Sequence, residues 1–203
     1  MSLPEGRQLT GAMQIPAQRA ADTAPRHGAV MTTTTGQMTA LLRITMGLVF
    51  LWAFFDKTFG WGYATTAQNA WLNGGSPTKG FLGRVDTGPF AETFRAIGGA
   101  WWADWLFMLG LLGIGVALTL GIGLRVAAVS GTVMMLLMWA AEWPPDRFTA
   151  AGQPTMSTNP LLDYHVVYAL VLIALALAYA GNTWGLGRWW AQRTAVRHNH
   201  WLR

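Results

Sequence analysis

The sequence predicts an all-α integral membrane protein, a four-helix bundle with a helical extracytoplasmic insertion between the first and second spans. Three observations lead to this fold class. Only 11% of the 203 residues are charged, whereas a soluble domain carries about 25%. Four long apolar segments are continuous rather than alternating, which favours helices over strands. Four of the nine carboxylates, those of Asp56, Asp104, Glu142 and Asp163, lie at the margins of these segments, all on the same predicted side.

The apolar segments have about the length of a helix that crosses the hydrocarbon core, which takes roughly 20 residues. The predicted spans cover residues 39–59, 105–124, 126–142 and 164–186. The connection from Gly121 to Arg125 is so short that spans two and three must form an antiparallel hairpin. Residues 38–187 are therefore predicted to form one membrane domain.

The insertion between the first two spans, residues 60–103, is predicted to be partly helical. The pattern indicates short helices over 63–72 and 88–97, joined through a turn at 73–79. A loop of this length is either a functional lid or an interfacial element that rests on the bundle, and the sequence leaves both interpretations open.

The placement of lysine and arginine predicts the orientation. If the N-terminus is inside, nine arginines face the cytoplasm and five cations face outward, which follows the positive-inside rule. The inner arginines are Arg7, Arg19, Arg26, Arg43, Arg125, Arg188, Arg193, Arg197 and Arg203. We therefore expect a multi-pass protein of the bacterial plasma membrane, with both termini cytoplasmic. Residues 1–37 are predicted to be a disordered tail, in which Met31 is an alternative start, and 188–203 a basic tail.

Small residues recur at four-residue spacing along the later spans, a pattern that lets membrane helices approach closely. We expect packing faces at Gly113, Ala117 and Gly121, at Ala127 and Gly131, and at Ala174 and Ala178.

The composition excludes several kinds of redox centre. The chain has no cysteine, which excludes disulfides, iron–sulfur clusters and thiolate zinc sites within it. His165 is the one histidine near the spans, so paired histidine ligands for haem are not expected. No metal-ligand spacing, phosphate-binding loop or nucleophile elbow is found, and no basic stripe indicates nucleic acid. We expect no haem, metal or iron–sulfur cofactor.

The candidate functional residues lie at the predicted outer ends of the spans: Asp56, Lys57, Asp104, Glu142, Asp163 and His165. Ionisable groups at membrane depth are candidates for function, although charges near helix ends also serve as anchors. Tyr168 follows His165 by one turn of the same predicted helix. Trp139 is one of the tryptophans expected at the outer membrane interface, near this group. Such a group could hold a quinone head group, while a lone histidine is also a common packing residue.

Four short motifs, in this order along the chain, resemble the DoxX/DoxD family of membrane proteins. They are segment 43–57, with Arg43, Gly47 and Lys57; the glycine–arginine connection at 121–128; the segment 159–165 that enters the last span; and the segment 185–190 that leaves it.

The resemblance implies a four-helix membrane protein, and some family members are the large membrane subunit of thiosulfate:quinone oxidoreductase. We therefore expect a redox-associated subunit that passes electrons from a partner protein to membrane quinone near the outer leaflet. Thiosulfate oxidation is the candidate reaction of that partner. Lys57 and His165 would contact the quinone oxygens. The expected surrounding residues are Asp56, Asp104, Glu142, Tyr168 and Trp139.

Two other functions stay open at this point. The chain could be a non-catalytic scaffold or assembly partner, with a protein partner docked on residues 60–103. A small-molecule transporter ranks lowest, because the middles of spans two and four offer few polar groups. The sequence leaves the oligomeric state open.

Overall fold

The computed structural model describes residues 32–155 and 157–202. All regular secondary-structure elements within these residues are helices. The α-helices are α1 (Thr33–Phe59), α2 (Pro77–Leu82), α3 (Ala91–Ile97), α4 (Trp101–Leu120), α5 (Leu124–Glu142), α6 (Tyr164–Leu177), α7 (Gly187–Ala191) and α8 (Thr194–His198). Short 3-10 helices cover Ala67–Asn69, Trp71–Asn73, Ala180–Asn182 and His200–Leu202. Most of the predicted tail, including Met31, lies outside the described residues.

Three helices, α1, α4 and α5, are long and apolar enough to cross a membrane. Their outward faces carry large apolar side chains, such as Leu48, Leu109 and Val129, each more than half exposed. A continuous apolar surface of this kind suits lipid rather than water as the solvent. Helix α6 has only 14 residues, about 21 Å at the rise of an α-helix, which is less than the roughly 30 Å of a hydrocarbon core.

Helices α1, α4, α5 and α6 pack in sequence order around one apolar core. Helix α1 lies along α4, α5 lies along α6, and α4 and α5 also contact each other. The most deeply buried core side chains come from α4 and α6 and include Met108, Ile114, Leu118, Leu172 and Leu175.

Glycines at the helix interfaces allow this close packing, although not all of them are the predicted ones. A Cβ at Gly47 would lie 2.8 Å from the backbone nitrogen of Thr119, and one at Gly131 would lie 2.5 Å from Leu172. Gly131 thus confirms one predicted packing face. Gly113 was wrongly predicted to pack, because it faces open space, and Gly115 is the residue of α4 that approaches α1.

The structure corrects the predicted ends of three helices. Helix α1 begins at Thr33 rather than at residue 39. Helix α4 ends at Leu120 rather than at 124, because Gly121 takes the left-handed conformation (φ 74°) that ends a helix. Helix α6 ends at Leu177 rather than at 186, since the chain turns at Tyr179, which has φ 50°.

The insertion also differs from its predicted pattern. Helix α3 forms within the predicted range 88–97, but residues 63–72 form two 3-10 turns instead of a helix. The predicted turn at 73–79 contains the start of α2. Both signals for that start are in the sequence, because Ser76 caps the helix by accepting from the amide of Lys79 and Pro77 occupies the first turn.

Arg43 joins the ends of two helices from inside the bundle. Its side chain is fully buried, and its five N–H groups meet five backbone carbonyls. The acceptors lie in the last turn of α4 (Leu118 and Thr119) and just after α6 (Ala180, Thr183 and Trp184). Because the last carbonyls of a helix have no partner within it, the guanidinium supplies donors to the end of α4 and also meets the negative end of that helix's dipole.

Two glycines let these chain segments close around the guanidinium. A Cβ at Gly121 would lie 2.9 Å from the Cα of Gly181 and 3.0 Å from Nη1 of Arg43. A Cβ at Gly181 would collide with the carbonyl oxygen of Gly121. Since the obstructing atoms are backbone, larger residues would separate α4 from the segment that follows α6.

Two buried carboxylates hold the insertion against the bundle. Asp104 accepts hydrogen bonds from the hydroxyl of Ser76 (2.9 Å) and from both the amide (2.8 Å) and the hydroxyl (2.6 Å) of Thr78. Asp56 accepts from the amides of Tyr63 (3.3 Å) and Ala64 (3.0 Å). Each carboxylate therefore ties a loop segment to a long helix.

Replacing Arg43 with methionine should destabilise the bundle by at least about 3 kcal/mol, because buried carbonyls that lose their donor each cost roughly 1–3 kcal/mol. The measurement is unfolding of the detergent-solubilised chain in increasing sodium dodecyl sulfate. Arg188→Met, at an exposed arginine, is the control and should change the unfolding midpoint little. Equal midpoints for the two variants would contradict the role given to Arg43.

Replacing Asp104 with alanine should loosen α2 without unfolding the long helices. Loss of three hydrogen bonds, at about 1 kcal/mol net for each, should speed amide hydrogen exchange in residues 76–82 by at least about tenfold. Glu92→Ala, at an exposed carboxylate of α3, is the control. Unchanged protection of residues 76–82 in Asp104→Ala would show that the carboxylate does not anchor the insertion.

Candidate functional site

A cleft of about 1050 Å³ opens where α1 and α5 end and α6 begins. Lys57, Glu142, Asp163 and Tyr164 line it from these helices. The rest of its wall comes from the insertion and from the loop between α5 and α6. The cleft therefore collects titratable groups from three helices and is the candidate site.

Asp163 and His165 form a hydrogen-bonded pair at the start of α6. One carboxylate oxygen of Asp163 caps the helix by accepting from the amides of His165 (3.0 Å) and Val166 (3.4 Å). The other oxygen lies 2.6 Å from Nδ1 of His165. One aspartate thus both starts the helix and fixes the orientation of the imidazole.

His165 is completely buried, and its Nε2 has no hydrogen-bond partner among the residues that the structure describes. The ring lies 4.0 Å from the ring of Tyr164 and 6.4 Å from that of Phe81, between centroids. His165 is accordingly not among the residues that line the cleft. That it contacts a quinone oxygen stays a prediction.

Glu142 completes a three-residue cluster with this pair. It is exposed at the last residue of α5, and one potential ligand atom each from Glu142, Asp163 and His165 lies within 4.8 Å of the others. Groups of this type can hold a metal ion. Spacing in the sequence could not reveal the cluster, because a loop of about 20 residues separates Glu142 from Asp163.

Lys57 lines the cleft with its side chain half-buried. Its ammonium lies 6.0 Å from the ring centroid of Phe107, and no residue within 32–155 or 157–202 accepts a hydrogen bond from it. The neighbouring Asp56 is bonded to loop amides instead of pairing with Lys57. A cation without a hydrogen-bond acceptor among the described residues therefore lines the same cleft as four carboxylates, those of Asp86, Glu142, Asp146 and Asp163.

The remaining predicted site residues lie away from the cleft surface. Asp56 and Asp104 are buried and bonded to the insertion, as described above. Trp139 donates from Nε1 to the carbonyl of Leu161 (3.0 Å). The ring of Tyr168 packs edge-on against Tyr164, with 5.7 Å between centroids. Their observed roles are to hold loops and neighbouring rings.

Tyr164 is a site residue that the sequence reasoning missed. It lines the cleft and packs on His165. Its position between Asp163 and His165 was a usable signal, since the first turn of a helix brings successive residues around one end of it. Lys79 and Arg84 of the insertion also line the cleft, so its surface carries both signs of charge.

Comparison with known proteins identified no relative of this chain. No protein-family model matches this chain, and no curated protein or solved structure matches it.

Proposed function

We propose that this chain is a DoxX-like, redox-associated membrane subunit that binds the head group of a membrane quinone in the cleft. The observation that carries the proposal is the ammonium of Lys57, which has no hydrogen-bond acceptor in the part of the chain that the structure describes and lines the cleft together with Glu142, Asp163 and Tyr164. Quinone oxygens are hydrogen-bond acceptors, and an unpartnered ammonium has three donors to offer. The ring of Tyr164 provides an aromatic surface for the head group.

Reduction of a quinone takes two electrons and two protons. The described residues include no cysteine, so a partner protein would have to supply the electrons, with thiosulfate as the candidate donor substrate. Water in the open cleft would supply the protons. The partner would dock on the insertion, whose cations Lys79 and Arg84 reach the cleft.

The proposed membrane arrangement is a four-span bundle in which α6 and the segment after it complete the fourth crossing. Both termini would be cytoplasmic, and the cleft would open at the outer leaflet of the plasma membrane. The excess of arginine on the opposite side supports this orientation. Arg43 and Gly121 belong to two different motifs of the DoxX resemblance, and Gly121 packs against the buried guanidinium of Arg43. This contact supports the interpretation of the two motifs as parts of one fold.

The second candidate is a non-catalytic scaffold or assembly partner. It is favoured by the observation that Asp56 and Asp104 serve to hold the insertion in a fixed position, as a docking surface would require. Purification of a stable partner complex without retained quinone would favour the scaffold. Retained quinone at about one molecule for each chain would favour the redox subunit.

Replacing Lys57 with glutamine should weaken the binding of a short-chain quinone analogue by about tenfold or more. A hydrogen bond to a charged donor contributes roughly 1.5–3 kcal/mol, and 1.4 kcal/mol corresponds to a factor of ten. Quenching of the fluorescence of the 12 tryptophans by the analogue would report the affinity in detergent. Arg147→Gln, at an exposed cation outside the cleft lining, is the matched control.

Affinities that are equal in Lys57→Gln, Arg147→Gln and the unaltered chain would exclude Lys57 from the quinone site. The electron source is tested separately, in membranes that contain the unaltered chain and its partners. Thiosulfate should reduce the quinone pool there, and more slowly when Lys57→Gln replaces the unaltered chain. A rate that does not depend on this chain would exclude the thiosulfate assignment.

A further inference from the structure

We propose that the end of the bundle opposite the cleft binds the phosphate groups of anionic phospholipids. The surface is formed by residues 184–202, which follow α6, and we call it the basic cap. The sequence identified its arginines only as a signal of orientation. This binding does not depend on the proposed quinone function, because the cleft lies at the other end of α1, α5 and α6.

The basic cap is folded against the bundle. The amide of Leu186 donates to the carbonyl of Leu120, the last residue of α4 (2.9 Å). The 3-10 turn at 200–202 contacts α5, and the indole nitrogen of Trp190 in α7 donates to the carbonyl of Leu202 (2.8 Å). The backbone that carries the arginines is therefore fixed in position at this end of the bundle.

The described chain has no acidic residue at this end. The sequence contains no Asp or Glu in 32–55, 105–141 or 164–203. These ranges include the start of α1, the connection between α4 and α5, and the chain from the start of α6 onward. A phosphate group that approaches the basic cap therefore meets no carboxylate of the described residues.

Three exposed side chains of the basic cap have neither a hydrogen-bond acceptor nor an ion-pair partner among the described residues: Arg188, Arg193 and Arg197. The other two described arginines at this end differ from them. Arg43 is buried among backbone carbonyls, and Arg125 donates to the hydroxyl of Tyr179 (2.9 Å). A guanidinium presents N–H donors in pairs that match two oxygens of one phosphate, so three such groups remain available to a ligand.

Exposed tryptophans place the basic cap at the boundary between lipid and water. Trp184, Trp189 and Trp201 are between 47% and 61% exposed, and indole rings prefer the level of the lipid headgroups. The guanidinium carbon of Arg193 lies 3.6 Å from the ring centroid of Trp189, so a ring at that level brings a cation with it. Trp184 has φ 48°, which is unusual for a bulky residue, and its carbonyl accepts from Arg43 (2.8 Å).

The apolar surface beside the basic cap favours a lipid over a soluble anion. Leu177, at the end of α6, and Leu186, within the cap, are both exposed, as is Val126 at the start of α5. Basic residues that directly follow a membrane helix typically recognise anionic headgroups. A nucleic acid or an acidic protein would match the charge of this surface, whereas a phospholipid matches both the charge and the apolar side chains.

The experiment counts the lipids bound to the full-length chain in a mild non-ionic detergent, by native mass spectrometry. The chain is titrated with dioleoyl phosphatidylglycerol in one series and with the zwitterionic dioleoyl phosphatidylcholine in another. Phosphatidylglycerol should bind at least about tenfold more tightly, because each basic residue near an anionic surface strengthens binding by about fivefold. Equal affinities of the unaltered chain for the two lipids would overturn the proposal.

Replacing the three arginines together should remove the preference for phosphatidylglycerol, in the variant Arg188→Gln/Arg193→Gln/Arg197→Gln. A matched control removes the same net charge from three exposed cations at the cleft end and should keep the preference: Lys79→Gln/Arg84→Gln/Arg147→Gln. All six side chains are exposed, so neither variant disturbs the core. The proposal also fails if the first variant keeps the preference or if the control loses it to the same extent.

Two competitors identify the source of the phosphate. Inorganic phosphate and a short double-stranded DNA, each at the concentration of the lipid, should leave the bound phosphatidylglycerol in place. Displacement by the DNA would assign the surface to nucleic acid, and displacement by inorganic phosphate would assign it to a soluble anion; either result overturns the proposal. Quinone binding is measured independently at the other end of the bundle, so failure of one proposal leaves the other standing.

Discussion

The buried guanidinium of Arg43 is the interaction on which the arrangement of the helices depends. An ionised group is costly to bury in an apolar bundle unless its donors are satisfied. Here five backbone carbonyls, in the last turn of α4 and in the segment after α6, accept from all of them. The contact therefore holds α1 against the end of α4 and against residues 180–184. This arrangement requires glycine at positions 121 and 181, because a larger residue at either one would collide with the backbone of the other segment.

At the other end of the bundle, the acidic groups divide into two functional sets. Asp56 and Asp104 are buried and use their oxygens to hold the insertion. Glu142 and Asp163 keep carboxylate surface in the cleft. The first set holds the insertion, which forms one wall of the cleft, and the second lines the cleft itself. Four carboxylates with similar positions in the sequence thus have different environments: Asp56 and Asp104 are buried against the insertion, Asp163 caps α6 and Glu142 is exposed.

The site could be predicted in part because local sequence places some of its groups. Asp163 caps α6 and reaches His165 two residues later, so this pair is a consequence of helix geometry. Lys57 lies at the end of an apolar helix, where a cation is expected near the headgroups. The proximity of Glu142 to the pair could not be predicted, because it depends on how the 143–162 loop returns the chain. The approach of Phe81 to His165, 6.4 Å between ring centroids, depends in the same way on how the insertion folds back.

The sequence by itself determined the helical class and the apolar spans, because continuous runs of apolar residues favour helices that lipid can solvate. It also located the carboxylates at the ends of these runs. The tertiary structure decided where the helices end: Gly121 and Tyr179, which leave the helical conformation, adjoin the carbonyls of Thr119 and Ala180 that accept from Arg43. It also decided which charged residues at the helix ends hold the insertion, as Asp56 and Asp104 do, and which line the cleft, as Lys57 and Glu142 do. Both outcomes depend on partners far away in the chain, and no local pattern encodes them.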